Sequence, residues 1–271
     1  MKFQLKALAA ALVLAAALPA HAITDTALSG NGSLVLAVYD TGRNISALFD
    51  LGKNYSDFTI AGTTPNSGVT AEGTSFSWNL SAGDYATAWS LFGSTTNAVY
   101  AVGAQDNAGS GAGGRGLIST YSTSTIATNP TTGQLQTIAQ AWDSYVGGNA
   151  VPSNVTYQNH TDVANGASVS SAGSSYAPSY YFRDKNQNQG PTAAGAVGSD
   201  LNVFQYTAAA TSFVAPTFTA FGNGAKFNLS STGALTYSTN PIITNVPEAD
   251  TWAMMLLGLS VMGAVARRKQ A

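Results

Sequence analysis

The chain has 271 residues, no cysteine, two histidines and only 9% charged residues. The lack of cysteine excludes disulfides, thiol catalysis, thioether-linked haem, iron–sulfur clusters and cysteine zinc sites. Between Ile23 and Val246, six basic residues stand against eleven acidic ones, a formal charge of −5. No Lys/Arg cluster exists there, so the counterion-releasing surface that nucleic-acid binding needs is missing.

The first segment, MKFQLKALAAALVLAAALPAHA, places Lys2 and Lys6 before an apolar run from Ala7 to Leu18, followed by Pro19 and the small-residue triplet Ala20-His21-Ala22. A positive start, a short apolar core and small residues that fit signal peptidase are the three parts of a secretory signal peptide. Residues 1–22 are therefore expected to be removed after Ala22, with Ala20 and Ala22 forming the cleavage site.

Residues 23–240 are expected to fold as one β-rich domain, long enough to bury its own core without metal or disulfide. Leu34–Tyr39 and Ile45–Leu51 are rich in strand formers and flank the turn residues Asp40 to Asn44, which predicts a hairpin. A third strand is expected over 53–60, and Thr74 to Leu80 alternates as a half-buried strand does. Asp84 to Phe92 fits a short helix with Asp84 near its N-cap, or equally a strand. Ala98–Val102 and Leu117–Tyr121 read as strands around the glycine-rich loop 108–116. That loop has no following helix and no Lys-Ser/Thr pair, so a connection between strands is favoured over a phosphate cradle.

The strongest helical pattern is 133–146, where Leu135, Ile138, Trp142, Tyr145 and Val146 share one face and Gly147-Gly148 ends it. Residues 149–200 are rich in Ser, Asn, Gly and Ala and read as long loops with short strands. Leu201–Tyr206 alternates, Ser212–Phe221 is strand-like with Pro216 pointing to an edge, and Phe227 and Leu229 answer Leu235 and Tyr237 across a Ser-Ser-Thr-Gly turn. The fold expected is an antiparallel β-sandwich with one or two short helices, flanked by the signal peptide and a C-terminal hydrophobic helix.

Catalytic chemistry has few carriers. His160 is the one histidine after the signal peptide, with no nucleophile elbow to serve, and it cannot build a multi-histidine metal centre. Asp40, Asp50 and Asp57 flank the first hairpin, where aspartates ordinarily make turns, although a glycoside hydrolase would need two such carboxyls across a cleft. Asp184, Asn186 and Asn188 precede Gly190 in the manner of an opening calcium loop, but the twelfth position is Gly195 rather than Glu, which favours a hydrophilic turn over a metal site. Asn-x-Ser/Thr triplets at Asn44, Asn54, Asn79, Asn154, Asn159 and Asn228 are possible glycan acceptors. The expected protein is non-enzymatic and has no cofactor.

The last segment, 241–271, holds the most specific pattern. Trp252 to Ala266 is fifteen residues without a charge, about 22 Å as a helix against a hydrocarbon layer of about 30 Å. Val246-Pro247-Glu248 precedes it and Arg267, Arg268 and Lys269 follow, and the basic end is expected to stay cytoplasmic. A short motif, a marginal helix and a basic stop form a processing signal. This segment resembles a PEP-CTERM sorting domain, the substrate signal of exosortase systems in Gram-negative bacteria, with Ala249 standing where the family has proline.

The resemblance implies recognition of Pro247-Glu248 by a membrane exosortase, transient residence of 252–266 in the inner membrane, and a host that makes exopolysaccharide. It implies a protein exported through the inner membrane to the cell surface or extracellular matrix, met by signal peptidase and the exosortase on the way. A carbohydrate-binding or adhesive surface module is the alternative function, and a secreted hydrolase is a third.

Overall fold

The computed structural model describes residues 30–43, 45–60, 68–106, 109, 112–122, 131–135, 138, 167–170 and 194–240. By packing, the chain divides into Met1–Asn240 and Pro241–Ala271. The described residues all lie in the first of these units.

Among the described residues, eleven strands join one antiparallel sheet. They are β1 (Ser33–Asp40), β2 (Ile45–Asn54), β3 (Ser75–Asn79), β4 (Ala98–Asp106), β5 (Gly116–Tyr121), β6 (Ala167–Ser170), β7 (Gly195–Ala196), β8 (Asp200–Thr207), β9 (Thr217–Ala220), β10 (Lys226–Leu229) and β11 (Ala234–Ser238). The order is β3-β11-β10-β8-β5-β4-β1-β2-β6, with β7 on β4 and β9 on β8. The mainly β, antiparallel character expected from the sequence is therefore present. The two separate sheets of a sandwich are not, among the described residues: one continuous ladder curls nearly into a barrel, because an aromatic core on its inner face joins its distant strands.

That core explains the curl. Leu34, Leu36 and Val38 of β1, Phe49 of β2, Trp78 of β3, Tyr100 of β4, Ile118 of β5, Val203 of β8, Phe227 of β10 and Tyr237 of β11 belong to one buried cluster on the inner face. Trp78 Nε1 donates to the Leu51 carbonyl at 2.8 Å, joining a strand near one end of the order to one near the other. Burying these rings on one face of every second residue is the main stabilising term.

At the centre sits Phe58, whose ring lies 4.8 Å from Tyr237, 5.8 Å from Phe227, 5.9 Å from Phe76 and 6.1 Å from Phe221. It comes from α1 (Tyr55–Phe58), which replaces the third strand expected over 53–60. The reason is local: Asn54 and Asp57 form a reciprocal capping box, so the backbone turns as soon as β2 ends. The neighbouring Tyr55 ring packs so close to Gly116 that a Cβ there would meet its hydroxyl at 1.9 Å. Gly116 is thus required by the close approach, as the start of β5 beside α1.

Asp84 to Phe92 is helical, as a 3-10 turn (Gly83–Tyr85) and α2 (Ala86–Phe92). Asp84 is exposed and lies in the first turn of the 3-10 segment, whose N-cap is Ala82. The C-terminal end of α2 is held instead by Arg43, which donates to the carbonyls of Phe92 and Ser94, lies over the Phe92 ring and pairs with Asp40. A cation at a helix C-terminus satisfies carbonyls that have no partner within the helix.

The helix expected over 133–146 is visible as helical residues 132–135 and 138. Thr131 and Gln134 cap it reciprocally, at 3.2 Å and 2.7 Å. Leu135 and Ile138 pack on Leu117, Phe204 and Tyr206 of the sheet's outer face, as their spacing predicts. Trp142, Tyr145 and Val146 lie outside the described residues.

Candidate functional site

The inner face is closed by its core, so chemistry has to sit on the outer face, in the loops or beyond Asn240. The outer face has two zones. Across β1, β2, β4 and β5 it is buried, with Val35, Ala37, Leu48 and Ala101 fully covered. Across β3, β11, β10 and the start of β8 it carries Ser75, Ser77, Asn79, Thr236, Asn202 and Asp200, all exposed. Asp200 accepts hydrogen bonds from Lys226 and from Asn228 (2.8 Å), which hold its carboxyl below the usual range.

Aromatic side chains are not part of that polar face. Tyr85, Tyr100, Tyr206, Tyr237, Trp78 and Trp89 are buried, and the exposed rings among the described residues are Phe213, 93% exposed, and Phe218. Burial raises the hydroxyls of Tyr85, Tyr100 and Tyr237 well above their ordinary value and that of Tyr206 to about 12.

Two of the three hairpin aspartates act as expected, Asp40 in the turn after β1 and Asp57 in the first turn of α1, whereas Asp50 lies buried within β2, opposite Val35 beside an irregularity in the ladder. Asp40 accepts from the backbone N–H groups of Gly42 (2.8 Å) and Arg43 (3.0 Å) and from Arg43 Nε (2.7 Å). Burial raises its pKa, and the Arg43 and Gly42 hydrogen bonds outweigh that, leaving it lowered. Asp50 accepts from Ser33 Oγ at 3.1 Å and Gly52 N at 2.8 Å, and Asp57 from Asn54 N at 2.9 Å. The glycine-rich stretch joins the antiparallel neighbours β4 and β5, as expected of a strand connection. Among the described residues no group of three or more His, Asp or Glu side chains comes together.

Most residues singled out in the sequence lie outside the described residues: Ala20, Ala22, His160, Asp184, Asn186, Asn188, Val246, Pro247, Glu248, Arg267, Arg268 and Lys269. What the structure adds is the point where the domain hands over to the C-terminal segment. Thr239 Oγ1 donates to Ala71 O (2.7 Å) and accepts from Thr74 N (2.9 Å), while Thr239 N donates to Thr74 O (3.0 Å). Asn240 N donates to Asn223 O (2.6 Å), and Gly73 N donates to Asn240 O (2.8 Å).

Asn223 itself has φ 54° and donates through Nδ2 to Thr70 O at 2.8 Å. Gly224 follows at φ 63°, where a Cβ would lie 2.6 Å from Asn240 Oδ1. Asparagine and glycine are the residues that tolerate this left-handed backbone. This clasp was not foreseen from the sequence; the Asn223-Gly224 dipeptide was its one local signal.

Six residues past the clasp begins the motif Val246-Pro247-Glu248. Residues 245–269 match the family model of the PEP-CTERM protein-sorting motif. The matched PEP-CTERM segment takes in Val246, Pro247, Glu248, the apolar run and the basic end through Lys269. The motif implies processing by an exosortase during export and, in general, a cell-surface or extracellular location. No curated protein and no solved structure gives a match to the chain. Among the described residues no helix is long and apolar enough to cross a membrane, and residues 252–266 are not among them.

Proposed function

We propose that this is a non-enzymatic protein of the cell surface or exopolysaccharide matrix, exported behind a signal peptide at 1–22 and processed at a sorting tail formed by 241–271. The PEP-CTERM match at 245–269 carries the reading. In it, signal peptidase cuts after Ala22, the run 252–266 holds the chain in the inner membrane, and Arg267, Arg268 and Lys269 stop transfer on the cytoplasmic side. The exosortase recognises Pro247-Glu248 at the outer face and cuts nearby, leaving residues 23–240 as the working domain. The non-enzymatic part is supported by the local engagement of Asp40 and Asp57 in turns and by the burial of Asp50 within β2, which leaves them poorly suited to serve as paired acid and base.

A second reading, contact with carbohydrate, is favoured by one observation: the exposed outer zone offers Ser, Thr, Asn and Asp side chains in register across β3, β11, β10 and β8. Hydroxyls and amides of this kind hydrogen-bond sugars well. Among the described residues Tyr100, Tyr206, Tyr237 and Trp78 are buried and offer that zone no stacking platform. Expression of the chain with residues 246–271 deleted tests the primary reading. Loss of surface delivery with a folded domain is the expected result, and undiminished surface delivery would overturn it.

A further inference from the structure

The domain is pinned to its last described residue. β11 does not fray at Ser238, because Thr239 and Asn240 are tied from both sides to segments more than a hundred residues away in the chain, except for the nearby Asn223. Beyond that point only Pro241, Ile242, Ile243, Thr244 and Asn245 precede the motif. Six Cα steps span at most about 20 Å. A compact domain of about 220 residues has a radius of gyration of about 17 Å. The spacer is thus no longer than the body it has to keep clear of a membrane-bound enzyme. Pro241 disfavours helical backbone at Asn240.

We propose that the clasp of Thr239, Asn240 and Asn223 is a positioning device for sorting. It sets where the folded body ends, so that residues 241–245 are the whole reach between domain and exosortase, and that reach is close to the minimum. The inference rests on the sorting reading and adds a spacing rule to it. Thr239, Asn240 and Asn223 act through the position of the motif and touch no reacting group.

The test follows processing of the full-length precursor in its host. Deleting Ile242, Ile243 and Thr244 is expected to slow processing at least tenfold, whereas inserting six Gly/Ser residues between Asn240 and Pro241 leaves the rate unchanged. Loosening the clasp with Thr239→Val and Asn223→Ala is expected to restore processing of the shortened chain, because β11 then yields its last residues to the spacer. The same pair with the natural spacer is processed at the unaltered rate. Cooperative thermal unfolding of the purified domain shows that the pair still folds; if it does not, Thr239→Val alone replaces it. Wild-type processing of the shortened chain overturns the proposal, as does a folded clasp variant that fails to rescue it. Glu248→Ala with the natural spacer separates the two readings: normal processing there overturns the sorting reading itself, and the spacing rule with it.

Discussion

The domain and the tail are opposite kinds of object. The described residues between 33 and 239 form one antiparallel sheet around an aromatic core, yet no solved structure and no curated protein matches the chain. Residues 245–269 carry a family match and stand outside the described residues. In the tail, meaning lies in the order of short parts that another protein reads, so a linear pattern suffices. In the domain, information goes into packing many residues distant in sequence, and packing alone names no ligand.

The sharpest way to separate the two is to damage one and measure the other. Pro247→Ala is expected to abolish processing outright, leaving a membrane-held precursor on immunoblots, while the urea midpoint of the domain does not move. Phe58→Ala reverses the pattern. Removing a fully buried ring surrounded by Phe76, Phe221, Phe227 and Tyr237 is expected to destabilise the domain by about 3–5 kcal/mol in urea unfolding, with the motif untouched.

A smaller effect of opposite sign is expected at Gln105, a fully buried side chain on the outer face with neither amide atom hydrogen-bonded among the described residues. Gln105→Met keeps the shape, removes two unsatisfied groups, and is expected to raise stability by about 1–3 kcal/mol in the same assay. The smallest effect near neutrality is the dependence on pH. Tyr85, Tyr100, Tyr206 and Tyr237 have hydroxyls raised above the unfolded value of about 10. Their contribution is fully present below about pH 10 and is lost as pH rises through the raised values. Thermal unfolding should therefore be flat from neutral pH to about pH 10 and fall above it, with tyrosinate absorbance appearing together with unfolding. Tyrosinate formation ahead of unfolding would show that these rings are less enclosed than the packing indicates.

Strands whose partners lie close in sequence were legible in the chain. Phe227 opposite Tyr237 and Leu229 opposite Leu235 follow from alternation around one turn, and the register is as expected. The hairpin of β1 and β2 was legible for the same reason. Residues 53–60 misled because a four-residue helix is shorter than the period that would announce it, and the Asn54–Asp57 capping box outweighs the strand preference of Tyr55 and Phe58. Closure of the sheet was hidden for another reason: the Trp78–Leu51 hydrogen bond joins β3 to β2, a relation of three-dimensional position. The exit clasp was hidden in the same way, since Thr239 meets Ala71 and Thr74 across more than 160 residues. The sorting signal could be read directly because its receptor reads it directly.

Mass spectrometry of the mature protein from its host, with and without exosortase activity, tests the sorting claim most directly. The expected polypeptide begins at Ile23 and ends near Pro247-Glu248 when the exosortase is active, and keeps residues 252–271 when it is not. A mature surface protein that still carries the ARRKQA end in the presence of active exosortase would contradict the account.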